Sequence, residues 1–234
     1  MPEPHDLVLS SGFLAFGRHC GFLDAVEDAV AAGDLAVDGI CGTSSGAMVG
    51  ALWAAGWPAR RIADELGNTP PLRWMTLSRT PWRGLFGMER VVAHLARLLP
   101  GRIEDLPRPF GVGVVDPTGA ASVLTSGPLA EAVAASCAMP MVFTPVTLPQ
   151  GPHHDGGAVD RLGLSTWRAV RGPVPTLVHL VRRSAGPQSA PLPDDVRVVH
   201  SERSGATFFS LGDLYGQAEQ TRDATAQILG AADG

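Results

Sequence analysis

Residues 40 to 56 read ICGTSSGAMVGALWAAG and set Ser44 between Gly42 and Gly46. This fits the pattern G-x-S-x-G. It stands between a short apolar run that predicts a strand and an Ala-, Leu- and Met-rich run that predicts a helix, the setting a nucleophile elbow requires. Glycines at those two places let a sharp strand-to-helix turn adopt unusual backbone angles and let neighbouring segments approach closely. The serine oxygen is then exposed at a helix N-terminus, where the dipole favours developing negative charge. Ser45 does not fit, because Thr43 stands where its own glycine would be. The same residues also suit a serine that caps a helix in a glycine-rich turn, so the motif alone leaves both readings open.

A hydroxyl needs a base within about 2.6–3.2 Å to become a nucleophile. His153, His154, His179 and His200 all follow Ser44, so chain order permits a Ser-Asp-His triad. An elbow preceded by only about two strands fits that arrangement less well. Asp155 is another base. In HHDGGAVD it is followed by Gly156 and Gly157, on a loop after a strand, so its backbone can pack closely against another turn. Asp-Gly-Gly by itself is an ordinary turn sequence and gains meaning only beside residues 42–46.

The elements that must position these groups alternate along the chain. DLVLS predicts a strand, and a glycine-bearing turn then leads into a helix through about Ala32, with Phe22, Leu23, Val26 and Val30 on one side. LAVDGICG predicts the second strand, and Gly56 ends the helix after it. Residues 67–87 keep no period and read as a long irregular connection. A helix is expected at about 88–99, two strands around Asp116-Pro117-Thr118-Gly119, and a helix over PLAEAVAASCAMP with proline near each end. PQGPHHDGG reads as loop, PTLVHLV and VRVVH as strands, and residues 205–229 as largely helical. Alternation of this kind predicts an α/β three-layer sandwich, a central mostly parallel sheet with helices on both faces.

Composition narrows the chemistry. With 234 residues and a 45% apolar share, one globular unit with a real core is expected. All 18 basic residues are arginine, so Schiff-base chemistry, a lysine nucleophile and a P-loop ending in Gly-Lys are excluded. Cys20, Cys41 and Cys137 lack metal-ligand spacing and are expected as small buried hydrophobes. The first residues lack a signal-peptide pattern and no apolar run reaches membrane-spanning length, so a soluble, cytoplasmic protein is expected. A net charge of −5 argues against general nucleic-acid affinity. Residues 58–108 nevertheless hold nine arginines against five acids, leaving −9 for the remainder.

Three segments in order, GTSSGAMVGALWAAG, AVAASCAMPMVFTPV and HHDGGAVDRLGL, resemble the patatin-like phospholipases, a family of lipid acyl hydrolases. The resemblance runs from Leu7 to Leu164. It implies a Ser-Asp dyad with Ser44 as nucleophile and Asp155 as the base that takes its proton directly, no histidine, and no metal or organic cofactor. Ser136, Met139 and Pro140 then read as packing and turn residues. The family's G-G-G-x-[RK]-G loop, whose amides form the oxyanion hole, has its counterpart here in Ser10-Ser11-Gly12-Phe13-Leu14, with Gly12 and Phe13 as the expected donors. Arg18 is expected at the surface. Arg161 and Gly163 stand where Asn and Pro are more usual.

The resemblance makes lipid or a small ester the expected substrate. Trp74, Met75, Trp82, Leu85 and Phe86 alternate with Arg73, Arg79 and Arg83. They suit either a lid or interfacial surface over about 72–86 touching a membrane peripherally, or tryptophans covered by the fold beside solvated arginines. The rival to a hydrolase is a silent relative that binds lipid or a protein partner through the same pocket.

Overall fold

The computed structural model describes residues 2–182 and 192–230. β1 (Pro4–Leu9) is followed by α1 (Phe16–Ala32), which stops at Gly33 in the left-handed conformation with φ 84°. The stripe Phe22, Leu23 and Val26 is buried, while Val30, one turn from the end, is exposed. β2 (Ala36–Thr43) runs parallel to β1 and leads into α2 (Ser45–Ala54), all ten residues of which are buried. That burial explains why α2 is apolar all round rather than striped.

α3 (Ala59–Gly67) was not expected; its apolar residues Ile62, Ala63 and Leu66 lie among arginines and acids that dominate the charge reading. The irregular connection after it contains a 3₁₀ turn at Pro71–Trp74 and a small antiparallel pair, β3 (Thr76–Leu77) and β4 (Phe86–Gly87). α4 (Glu89–Leu98) lies where a helix was expected. β5 (Phe110–Val115) and β6 (Ala121–Leu124) pair around a turn closed by the Gly119 amide donating to the Asp116 carbonyl at 3.0 Å. α5 (Leu129–Ser136) starts directly after Pro128.

The stretch read as loop before Asp155 is instead a hairpin. β7 (Val146–Leu148) pairs with β8 (Gly151–Asp155), and β8 also pairs with β5 at Val114 and Val115. Proline and glycine suggest a turn locally, but backbone partners on both sides make residues 151–155 a strand. α6 (Leu164–Arg171) and β9 (Thr176–Val181) follow, then β10 (Val196–Ser201) and α7 (Leu214–Gly230). α7 begins nine residues later than the expected helical stretch; residues 205–213 are irregular.

The sheet order is β10-β9-β1-β2-β5-β8-β7, with β6 also on β5. The run from β10 to β5 is parallel, and β6, β7 and β8 add antiparallel pairings. Strand residues alternate between faces. Leu7, Leu9, Ile40 and Leu177 join the core under α1, α2 and α5, whereas Val8, Cys41 and Val178 pack with Leu164 and Trp167 of α6. Helices therefore cover both faces, unequally. Each fully buried Leu or Ile contributes about 1.5–3 kcal/mol. Among the described residues, no helix is long and apolar enough to cross a membrane.

Candidate active site

Ser44 occupies the one-residue corner between β2 and α2, with φ 55° and ψ −120°. A non-glycine residue there costs about 1–3 kcal/mol and persists only where its surroundings over-determine it. The surroundings do so. A Cβ on Gly42 would stand 2.6 Å from the Ala47 nitrogen, and one on Gly46 would stand 2.7 Å from the Ser10 carbonyl oxygen. The two glycines thus allow the corner to fold against itself and against the end of β1. From the other side, the Ser44 amide donates to Ser136 Oγ at 2.7 Å, and Ser136 Oγ donates to the Gly113 carbonyl at 2.6 Å.

Asp155, the last residue of β8, is buried and accepts a hydrogen bond from Ser44 Oγ at 2.8 Å through Oδ2. Its Oδ1 accepts from the Gly157 amide at 2.7 Å, and its own amide donates to the Ala138 carbonyl at 3.0 Å. A Cβ on Gly157 would lie 2.6 Å from Ser11 Cβ, so the Asp-Gly-Gly turn seats directly on the first loop. Among the described residues, no histidine hydrogen-bonds to Ser44. His153 bonds the Gly151 carbonyl, and His179, on β9, contacts His19.

The first loop is tied down by reciprocal bonds. The Ser11 amide donates to the Arg161 carbonyl at 2.8 Å, while Arg161 Nη2 donates to the Ser11 carbonyl at 2.9 Å and the Val181 carbonyl at 2.5 Å. Ser204 Oγ donates to the Phe13 carbonyl at 2.6 Å. The amides of Gly12 and Phe13 donate to no protein group among the described residues, and both residues line the same cleft as Ser44 and Asp155. Two of the places where the sequence departs from the family pattern, the first loop and Arg161, therefore touch each other. Arg18 is not at the surface as expected: its guanidinium is packed between α1 and α7, donating to Gln220 Oε1 at 3.0 Å.

Ser136 and Arg161 are the positioning residues that the sequence did not disclose. The resemblance gives Ser136 only as a packing or turn residue, and Arg161 reads only as a mismatch. His19 is a third. Its Nε2 meets Ser45 Oγ at 3.2 Å and its Nδ1 meets His179 Nδ1 at 2.9 Å, while His179 Nε2 reaches Ser201 Oγ at 2.9 Å. Burial lowers the His19 pKa to about 3 and pushes His179 well below the usual range, so both rings are neutral with one proton between them.

Ser44 and Asp155 line a cleft of about 430 Å³ whose lining is largely apolar and includes Leu66, Trp74, Val91, Leu95, Phe143 and Leu211. Cys137 also lines it; desolvation and the Asp155 charge raise its thiol pKa well above the usual value, so it stays protonated beside the serine. Among the described residues, no three His, Cys, Asp or Glu side chains converge as metal ligands. The arrangement offers a polarised hydroxyl, unengaged amides and an apolar groove at one place.

The sequence profile of the Patatin-like phospholipase family matches residues 7–166. Uncharacterized NTE family proteins of Mycobacterium tuberculosis and Mycobacterium bovis are 30% identical over 185 residues, covering 77% of this chain and 50% of their own length. The chain thus spans about half the length of these curated relatives. Among solved structures, VipD from Legionella pneumophila superposes with a TM-score of 0.60 at 14% identity, over 98% of this chain and 67% of its own. The type III effector protein ExoU superposes with a TM-score of 0.51 at 14% identity, over 98% and 52%. These two likenesses concern the fold: a mostly parallel sheet between helices. On the profile match and these relatives, the chain belongs to the patatin-like phospholipase family.

Proposed function

We propose that this chain is a serine acyl hydrolase that cleaves carboxylic ester bonds of lipids through Ser44 and Asp155. The observation that carries the reading is the 2.8 Å hydrogen bond from Ser44 Oγ to Asp155 Oδ2 at the end of an apolar cleft. As Ser44 Oγ bonds to the ester carbonyl carbon, its proton passes to Asp155. The oxyanion is received by the amides of Gly12 and Phe13. Collapse expels the alcohol, which takes the proton from Asp155, and leaves an acyl-serine. Water then attacks the acyl-serine, giving its proton to Asp155, and the second collapse releases the fatty acid and returns that proton to Ser44. The acyl chain lies along the apolar wall; a phospholipid or an acylglycerol supplies the ester.

The test is mass-spectrometric mapping of a fluorophosphonate adduct, together with hydrolysis of a short-chain soluble ester. An adduct at Ser44 is expected. Ser44→Ala and Asp155→Asn are each expected to lower turnover by at least about 10³-fold with the fold intact, whereas His153→Ala and His154→Ala leave it within a few-fold. A folded protein that neither labels nor hydrolyses would overturn the reading and favour a relative that binds lipid or a protein without turnover.

A further inference from the structure

Exposed apolar side chains stand on segments that also contribute residues to the cleft. Leu77, Trp82, Met141 and Phe209 are 82%, 80%, 85% and 77% exposed, and Leu72 and Leu85 are exposed beside them. Single exposed apolar residues need no explanation, but a contiguous group does. This group is contiguous because backbone hydrogen bonds join its three segments. The Leu72 amide donates to the Phe208 carbonyl at 3.0 Å, the Phe86 amide to the Val142 carbonyl at 2.9 Å, and the Thr144 amide to the Phe86 carbonyl at 2.8 Å. β3 and β4 hold Leu77 and Leu85 on one small hairpin, with the Ser78 amide donating to the Leu85 carbonyl at 3.0 Å. Three of the exposed residues are also chain neighbours of residues that line the cleft: Leu72 follows Pro71, Met141 follows Pro140, and Phe209 follows Phe208.

Charge distinguishes between the surfaces that could cover this group. Residues 70–90 contain Arg73, Arg79, Arg83 and Arg90 against the single acid Glu89, in a chain whose net charge is −5. All four arginines are exposed, and none forms an ion pair among the described residues. A second copy of the chain meeting this face about a two-fold axis would set these arginines against themselves. An anionic lipid surface instead accepts the aromatic and aliphatic side chains at its boundary and pairs the arginines with headgroups.

We propose that the rim formed by Leu72, the 76–87 hairpin, Met141 and Phe209 docks the protein on an anionic lipid bilayer, with the cleft mouth facing the lipid. The choice of occupant rests on the lipid-hydrolase reading; the surface itself does not. Docked this way, an acyl chain leaves the bilayer and enters the cleft without crossing water, and net repulsion between the acidic remainder of the chain and the membrane orients the molecule with this face down.

The experiment is co-sedimentation of the full chain carrying Ser44→Ala, so that lipid is not consumed, with vesicles of phosphatidylcholine alone or containing roughly one third phosphatidylglycerol. Binding is expected to the anionic vesicles, to weaken with salt, and to fall about tenfold or more both in Leu77→Ser/Trp82→Ser and in Arg79→Glu/Arg83→Glu. In the Ser44-containing protein the same surface substitutions should leave soluble-ester hydrolysis unchanged, which shows that they fold. Absence of sedimentation, binding indifferent to both double substitutions, or a solution dimer that Leu77→Ser/Trp82→Ser dissociates would each overturn docking. Failure of the protein with its native surface to bind vesicles, with soluble-ester hydrolysis retained, removes docking alone. Vesicle binding without any hydrolysis removes the hydrolase reading alone.

Discussion

Ser136 supports the elbow from behind, and its contribution is separable from that of Ser44. Its hydroxyl accepts from the Ser44 amide and donates to the Gly113 carbonyl, so both of its hydrogen-bonding roles are taken. In Ser136→Ala the strained corner loses one of the restraints that hold φ at 55° and a buried carbonyl loses its partner, which costs about 1–3 kcal/mol. We expect kcat to fall by about tenfold or more with KM nearly unchanged, because the serine is misplaced relative to Asp155 rather than the cleft altered. An unchanged kcat in a folded Ser136→Ala protein would refute this positioning role. At this scale the sequence disclosed the groups with distinctive chemistry. Ser44 and Asp155 stand out through their flanking glycines, whereas Ser136, expected only as a packing or turn residue, gives by its type no sign of its bond to the Ser44 amide.

The elements set the geometry through close approach. Gly42 and Gly46 are one helical-turn interval apart because each faces backbone where a side chain would otherwise be: Gly42 against the start of α2, Gly46 against the end of β1. Gly46→Ala should therefore push α2 away from Leu9 and Ser10, destabilising the fold by at least about 1–3 kcal/mol and reducing labelling of Ser44, with a lowered urea midpoint as the readout. Wild-type stability in that variant would contradict the steric account. The strongly patterned elements, β1, α1, β2, α2 and α5, were legible. The hairpin of β7 and β8 was not, because proline and glycine at 149–152 argue locally for a turn and only pairing with β5 makes a strand. α6 buries only Leu164 and Trp167, too few apolar positions to mark a helical face in the sequence.

Over the whole molecule, the buried histidine pair couples stability to pH. His19 on α1 and His179 on β9 are fully buried, and the rings contact each other at right angles with centroids 4.8 Å apart. Both pKa values are depressed in the folded state, to about 3 for His19, so below the unfolded value of about 6.5 the unfolded chain binds more protons than the folded one. Stability is therefore present above about pH 6.5 and is lost as pH falls below it, with each ring contributing a slope approaching 1.4 kcal/mol per pH unit, an upper bound of about that size. Urea unfolding between about pH 7 and 5.5 should show a falling midpoint, and His19→Gln with His179→Gln should flatten it. A midpoint independent of pH across that window would show that the pair does not titrate on unfolding.

The sequence by itself determined the alternation of strands and helices, the elbow glycines and the identity of the two polar groups that meet in the cleft, because each leaves a local mark: a period, a forbidden Cβ, or a side chain with special chemistry. The family's shape followed from those marks. Only the tertiary structure decided that Ser44 and Asp155, 111 residues apart, lie 2.8 Å from each other. It also decided that Arg161 secures the altered first loop, that Arg18 is buried under α7, and that Trp82 is exposed while Trp74 packs on His94. Those outcomes depend on which distant backbone or side chain arrives opposite each residue, and that information is carried by packing rather than by any local stretch of sequence.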